Sequence, residues 1–214
     1  DFIAALAELM RQKFGWNIGP KNIALTNGSQ HAFFVVFNMF AGTYPDGTTK
    51  KILFPMSPEY IGYSDILLSE NLIESATPSV EIQDELFFKY HINFDKLTIS
   101  DSIGAVCVSR PTNPTGNVLT DEEITKLAGI AKEKNIPLII DNAYGKPFPD
   151  IIYTDVKPYW DDNTIVCMSL SKLGMPGTRT GIVIGPEEVI TRISRINAII
   201  SLAPGGMGTA IITD

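Results

Sequence analysis

The chain has 214 residues, of which 44% are hydrophobic and 19% charged, so it can bury a sizeable core as one globular domain. A formal charge of -7 with no dense Lys/Arg run excludes a nucleic-acid footprint, and no apolar run reaches membrane-spanning length. Its two cysteines, Cys107 and Cys167, sit in apolar runs as small buried hydrophobes, which points to a reduced, cytoplasmic protein.

Phe2, Leu6, Leu9, Met10 and Phe14 recur at helical spacing until Gly15, predicting an amphipathic helix over 1–14. The chain starts at Asp1 inside that pattern and not at a methionine, and is read as a piece of something longer. A short strand over 23–26 meets Asn27-Gly28-Ser29-Gln30 and then an apolar helix over 31–40. Such a strand-to-helix turn aims free backbone amides outward, as phosphate sites do, though an ordinary capped helix start gives the same pattern.

Pro45, Asp46 and Gly47 mark a turn before the strand 52–54 and the punctuated stretch Pro55-Met56-Ser57-Pro58-Glu59-Tyr60. Tyr60 or Tyr63 can offer a ring face to an aromatic ligand, or pack on the core. A strand is expected over 72–76. Residues 79–101, mixed in charge and aromatics, are read as a surface excursion with one helical turn near 95–97. The buried strand 105–108 leads into Ser109-Arg110-Pro111-Thr112-Asn113-Pro114-Thr115-Gly116, whose prolines fix a rigid turn around Asn113. That turn can serve a ligand or be purely structural. Thr120 with Glu123 forms a capping box for a helix whose stripe is Ile124, Leu127, Ile130 and Ala131.

The apolar strand 137–141 ends on Asp141, with Tyr144 three residues beyond, and open α/β sheets hold ligands at such strand ends. The bland alternative for Asp141 is a helix cap. A strand over 164–168 then delivers Ser169-Leu170-Ser171-Lys172-Leu173-Gly174-Met175-Pro176-Gly177-Thr178-Arg179. A lysine among hydroxyls, followed by an arginine, has the parts for a cofactor bearing an aldehyde and a phosphate. Alone, this is also what a surface loop looks like. The strand 181–184 and a helix from about Pro186 follow, and 201–206 break that helix. Strands alternating with helices argue a mostly parallel sheet covered on both faces, with no linker dividing the chain.

Four strand-end loops thus carry Gly28-Ser29-Gln30, Asn113, Asp141 with Tyr144, and Ser169 with Lys172 and Arg179. In this order the residues resemble class I and II aminotransferases, the pyridoxal-phosphate enzymes of fold type I, across essentially the whole chain. The resemblance implies a three-layer α/β/α domain with a seven-stranded, mostly parallel sheet, one strand of which, 181–184, runs antiparallel. The Asp141 strand would separate the two cysteine strands, leaving no disulfide.

By the same resemblance, pyridoxal 5'-phosphate is the cofactor and residues 1–214 are its large binding domain. The resemblance implies that an amino-terminal segment and a carboxyl-terminal small domain would lie outside these residues. Lys172 would carry the Schiff base and the proton shift, and Asp141 would pair with the ring nitrogen. Asn113 and Tyr144 would hold the phenolic oxygen. Ser169, Arg179 and the amides of Gly28, Ser29 and Gln30 would hold the phosphate. The family's stacking aromatic is replaced by Ser57, so Tyr60 is taken as the ring's neighbour. The expected reaction moves an amino group from valine or alanine to pyruvate or 2-oxoisovalerate, in a homodimer. Two alternatives stay open: a lyase or decarboxylase of the same fold, and a ligand-sensing domain of a regulator. The isolated 214 residues are expected to be weak or inactive, since the arginine for the substrate carboxylate would lie beyond them.

Overall fold

The structure is a computed structural model and describes residues 1–213. In chain order the elements are α1 (Phe2–Phe14), β1 (Ile23–Thr26), α2 (Ser29–Phe40), β2 (Gly42–Thr43), β3 (Thr49–Phe54), β4 (Ile73–Ser75), β5 (Ser79–Ile82), β6 (Phe88–His91), β7 (Ile103–Ser109), α3 (Asp121–Glu133), β8 (Leu138–Asp141), β9 (Thr164–Ser169), β10 (Gly181–Ile184), α4 (Glu187–Ser201) and α5 (Met207–Thr213). Among the described residues, no helix is long and apolar enough to cross a membrane.

Side chains alternate across a strand, and here both faces are apolar. Val106, Val108, Leu138, Ile140, Val166, Met168, Ile182 and Ile184 join one buried cluster, which Phe2, Leu6 and Met10 of α1 and Ile124 and Leu127 of α3 cover. The intervening Ala105, Cys107, Ile139, Ile165, Cys167 and Val183 join a second cluster under Phe33, Val36 and Phe37 of α2 and Ile190 and Ile193 of α4. The result is the three-layer α/β/α arrangement expected. Caps place the helices: Asp1 accepts the Ile3 N–H at 3.0 Å, and Thr120 and Glu123 complete a reciprocal capping box on α3.

The sheet order is β1-β10-β9-β8-β7-β3-β2, with β4 also paired to β3. β4, β3, β7, β8 and β9 run parallel, and β10 is antiparallel to both β9 and β1. Seven strands therefore follow the expected pattern, with 181–184 as the reversed one. An eighth, the two-residue β2, adds an antiparallel rung to β3 and corrects the expected count. β8 separates the strands of Cys107 and Cys167, and both thiols are free.

One further correction concerns the stretch expected to be an irregular surface excursion. Residues 79–91 are not irregular: β5 and β6 form an antiparallel hairpin, and its turn is closed by Asp84, which accepts the N–H groups of Leu86 and Phe87. Beyond the break at 201–206 the chain forms α5, whose Ile212 packs on the α1 side of the sheet.

Candidate active site

β1, β3, β7, β8 and β9 share one direction, so their carboxyl ends reach the same edge of the sheet. A cleft of about 290 Å³ opens there. Ser29, Gln30, Tyr60, Asn113, Asp141, Tyr144, Ser169, Lys172 and Arg179 all line it, which brings together nine of the ten residues singled out in the sequence. The tenth, Gly28, backs the wall. It caps α2 with φ +89°, and any side chain there would collide with the Arg179 guanidinium. A side chain at Gly181 would strike the Gly28 carbonyl, so this second glycine lets the turn approach β10.

The first turn of α2 leaves backbone N–H groups without intrahelical acceptors, and Gly28 and Arg179 stand beside them. Arg179 itself has φ 47° and approaches the Ser171 hydroxyl at 3.4 Å and the Pro176 carbonyl at 3.2 Å. Ser169, buried, accepts the Ser171 N–H at 3.0 Å and so ties the lysine loop to the end of β9. The Lys172 ammonium lies 5.3 Å from the centre of the Tyr144 ring.

Asp141 forms the polar floor. Its Oδ1 accepts the Ala143 N–H at 2.9 Å, and its Oδ2 accepts the Tyr63 hydroxyl at 2.6 Å. Burial raises its pKa against the pull of those two hydrogen bonds and of the Lys172 charge. The carboxylate is thus short of positive charge, and a cation above it would be welcome.

Tyr60 reaches the cleft, with its ring edge-on to Tyr63 at 5.4 Å and lying against Gly62. Gln30 donates to the Gly62 carbonyl at 2.9 Å and joins that turn to α2. Ser57 points away, toward the Ala76 carbonyl at 3.3 Å. Three contributors were not anticipated as site residues. Tyr63, considered only as a ring face, is the hydrogen-bond donor to Asp141, while Ser109 bonds Tyr63 at 3.1 Å and Glu59 accepts the Ser109 N–H at 3.1 Å. The strand-end argument that found Asp141 applies equally to Glu59 in the loop after β3.

An aldehyde-bearing, phosphate-bearing pyridine cofactor fits this donor set. The set offers a lysine amine, an acid desolvated by burial, an arginine packed on a glycine turn and a helix start. Among the described residues, no His, Cys, Asp and Glu side chains gather as they would around a metal ion.

Comparison with known proteins agrees with the class of site. The profile of the family described as aminotransferase class I and II matches residues 1–212. The chain belongs to that family. It is 56% identical over 214 residues to the valine–pyruvate aminotransferase of Escherichia coli K12, covering all of this chain and 51% of that protein. The crystal structure of valine-pyruvate aminotransferase from Salmonella typhimurium LT2 superposes with a TM-score of 0.91 at 57% identity, over 99% of this chain and 52% of that one. An aspartate aminotransferase variant of Thermus thermophilus, at 22% identity, shares the fold with a TM-score of 0.80, over 97% of this chain and 52% of that one. The chain spans about half the length of the curated relatives it matches.

Proposed function

We propose that these residues form the cofactor-binding large domain of a homodimeric, pyridoxal 5'-phosphate-dependent aminotransferase. The proposed reaction moves an amino group between valine or alanine and pyruvate or 2-oxoisovalerate. The observation that carries the reading is the convergence of Lys172, Asp141, Tyr144, Asn113 and Arg179 on one cleft from separate strand ends. The 56% identity to a valine–pyruvate aminotransferase supports the substrate pair.

When bound, pyridoxal 5'-phosphate supplies an aldehyde that condenses with amines and a ring that accepts the electron pair of a deprotonated α carbon. The protein's part is holding and proton handling. Arg179, Ser169 and the N–H groups at the start of α2 bind the phosphate. Asn113 and Tyr144 orient the ring through its phenolic oxygen, and Tyr60 shields one side. Asp141, anchored by Tyr63 and Ala143, holds a proton at the ring nitrogen. Lys172 would hold the cofactor's aldehyde carbon through its amine and would be the group that moves a proton at the substrate's α carbon.

The test is amino transfer by the full-length protein supplied with valine and pyruvate. Alanine formation, lost in Lys172→Ala, is expected. Release of carbon dioxide or of a side-chain fragment without amino transfer would overturn the reading in favour of a decarboxylase or lyase. Residues 1–214 alone are expected to show weak or no activity.

A further inference from the structure

Behind Asp141 lies a second carboxyl group that the proposed chemistry does not use. Glu59 Oε1 accepts the Ser109 N–H, but Oε2 is buried without a hydrogen-bond partner. Tyr63 has one hydroxyl proton, and the 2.6 Å contact gives it to Asp141. The Ser109 hydroxyl, 3.1 Å from the Tyr63 oxygen, must then donate to Tyr63. Ser109 reaches Glu59 through its backbone N–H, which Oε1 accepts at 3.1 Å. With its hydroxyl proton committed to Tyr63, Ser109 has no second donor for the buried Oε2, which as part of a carboxylate would carry charge with none.

The charges nearby agree. The Asp141 charge acts on Glu59 and among the described residues no cation does, while the Tyr60 backbone pulls weakly the other way. Burial keeps the Tyr63 hydroxyl and the Cys107 thiol, which face it from the turn and from β7, protonated. Among the described residues the one cation acting on the pair is Lys172, and it acts on Asp141. Ionising Glu59 would bury an oxygen without a donor and add a like charge next to Asp141.

We propose that Glu59 is a positioning residue: as a neutral acid it fixes the Ser109–Tyr63–Asp141 chain and leaves Asp141 the only anion under the cleft. On ionising, it adds a second negative charge that tightens the hold on a protonated ring nitrogen. This rests on the reading of Asp141 as that nitrogen's partner. Burial, opposed by hydrogen bonding from Ser109 and helped by the Asp141 charge, pushes the Glu59 carboxyl up to about 7, so the switch falls near neutral pH. Reciprocity requires that a cationic ring above Asp141 in turn favour the ionised Glu59.

The experiment is carboxyl ¹³C NMR of the full-length, cofactor-free protein labelled on glutamate. The resonance that disappears in Glu59→Gln is expected to titrate near neutral pH. In Asp141→Asn it should titrate about one pH unit lower, because the like charge has gone. Glu59→Asp supplies the assignment if the glutamine variant does not fold. Pyridoxal 5'-phosphate should then bind wild-type protein about tenfold more tightly, relative to Glu59→Gln, at pH ~8 than at pH ~5.5. A Glu59 resonance that titrates in the ordinary glutamate range, or that Asp141→Asn leaves in place, overturns the inference. The first measurement contains no cofactor, so a failed cofactor assignment leaves it standing, whereas a failed Glu59 assignment shows there first.

Discussion

Ser109 and Arg110 leave β7 one after the other and enter opposite environments. Arg110 is buried at 4% exposure with each nitrogen engaged: Nε donates to the Leu119 carbonyl at 2.8 Å, Nη1 to the Lys157 carbonyl at 2.7 Å and Nη2 to Asp121 at 2.6 Å. Burial works to raise the Asp121 carboxyl, but the hydrogen bonds and charges of Arg110 and Lys157 outweigh it and hold it low. Ser109 faces the other way, into a group of two carboxyls, Asp141 and Glu59, both of which burial pushes up. A buried charge with all its partners present is a clamp, and buried acids left short of donors are a site waiting for a cation. One turn of chain supplies both.

That contrast can be broken by substitution. Asp141→Ala should lower amino transfer by the full-length protein on the order of a thousandfold. It should cost less than about 1 kcal/mol of stability, because a desolvated charge is removed along with its two hydrogen bonds. Arg110→Met should do the reverse: a loss of about 3–5 kcal/mol in denaturant unfolding, with Lys172 still reacting with the cofactor in the folded fraction. If the stability losses came out in the opposite order, the clamp and the site would have been misassigned.

The two regions also respond to pH with opposite sign. Glu59 has a folded pKa above its usual 4.5, so the folded state keeps a proton that the unfolded chain loses. Its contribution therefore falls as pH rises from about 4.5 to 7, by on the order of 1–3 kcal/mol after solvent screening, and Glu59→Gln should abolish that slope. Asp121 is depressed, so the clamp is complete above the ordinary aspartate range and weakens only as pH falls through it. Thermal unfolding across pH, in wild type and Glu59→Gln, separates the two. Among smaller effects, Tyr63→Phe removes one of two hydrogen bonds to Asp141 and should weaken cofactor retention about tenfold by equilibrium dialysis. Thr120→Ala, which uncaps α3 beside the clamp, should cost about 1 kcal/mol with no effect on the cofactor.

The sheet was readable because its central strands are apolar on both faces and its helices carry regular stripes, as at Ile124 and Leu127. The hairpin at 79–91 was hidden for the opposite reason. Val80, Ile82 and Phe88 stay exposed, and Glu81, Asp84, Glu85 and Lys89 mask any alternation. The cleft residues were found where a strand end coincided with a familiar motif, as at Asp141 and Lys172. Glu59 has a strand-end position to mark it, but its partner Ser109 and Tyr63's partner Asp141 lie 50 and 78 residues along the chain, and no local pattern announces those contacts. The two-residue β2 and the seven-residue α5 are too short to show a period.

The central claim is that Lys172 is the amine that carries pyridoxal 5'-phosphate. The direct measurement is borohydride reduction of the full-length protein loaded with the cofactor, followed by peptide mapping. A reduced pyridoxyl adduct on Lys172, absent from Lys172→Ala, is the predicted result. A wild-type Lys172 left unlabelled, with the adduct elsewhere or nowhere, would contradict it.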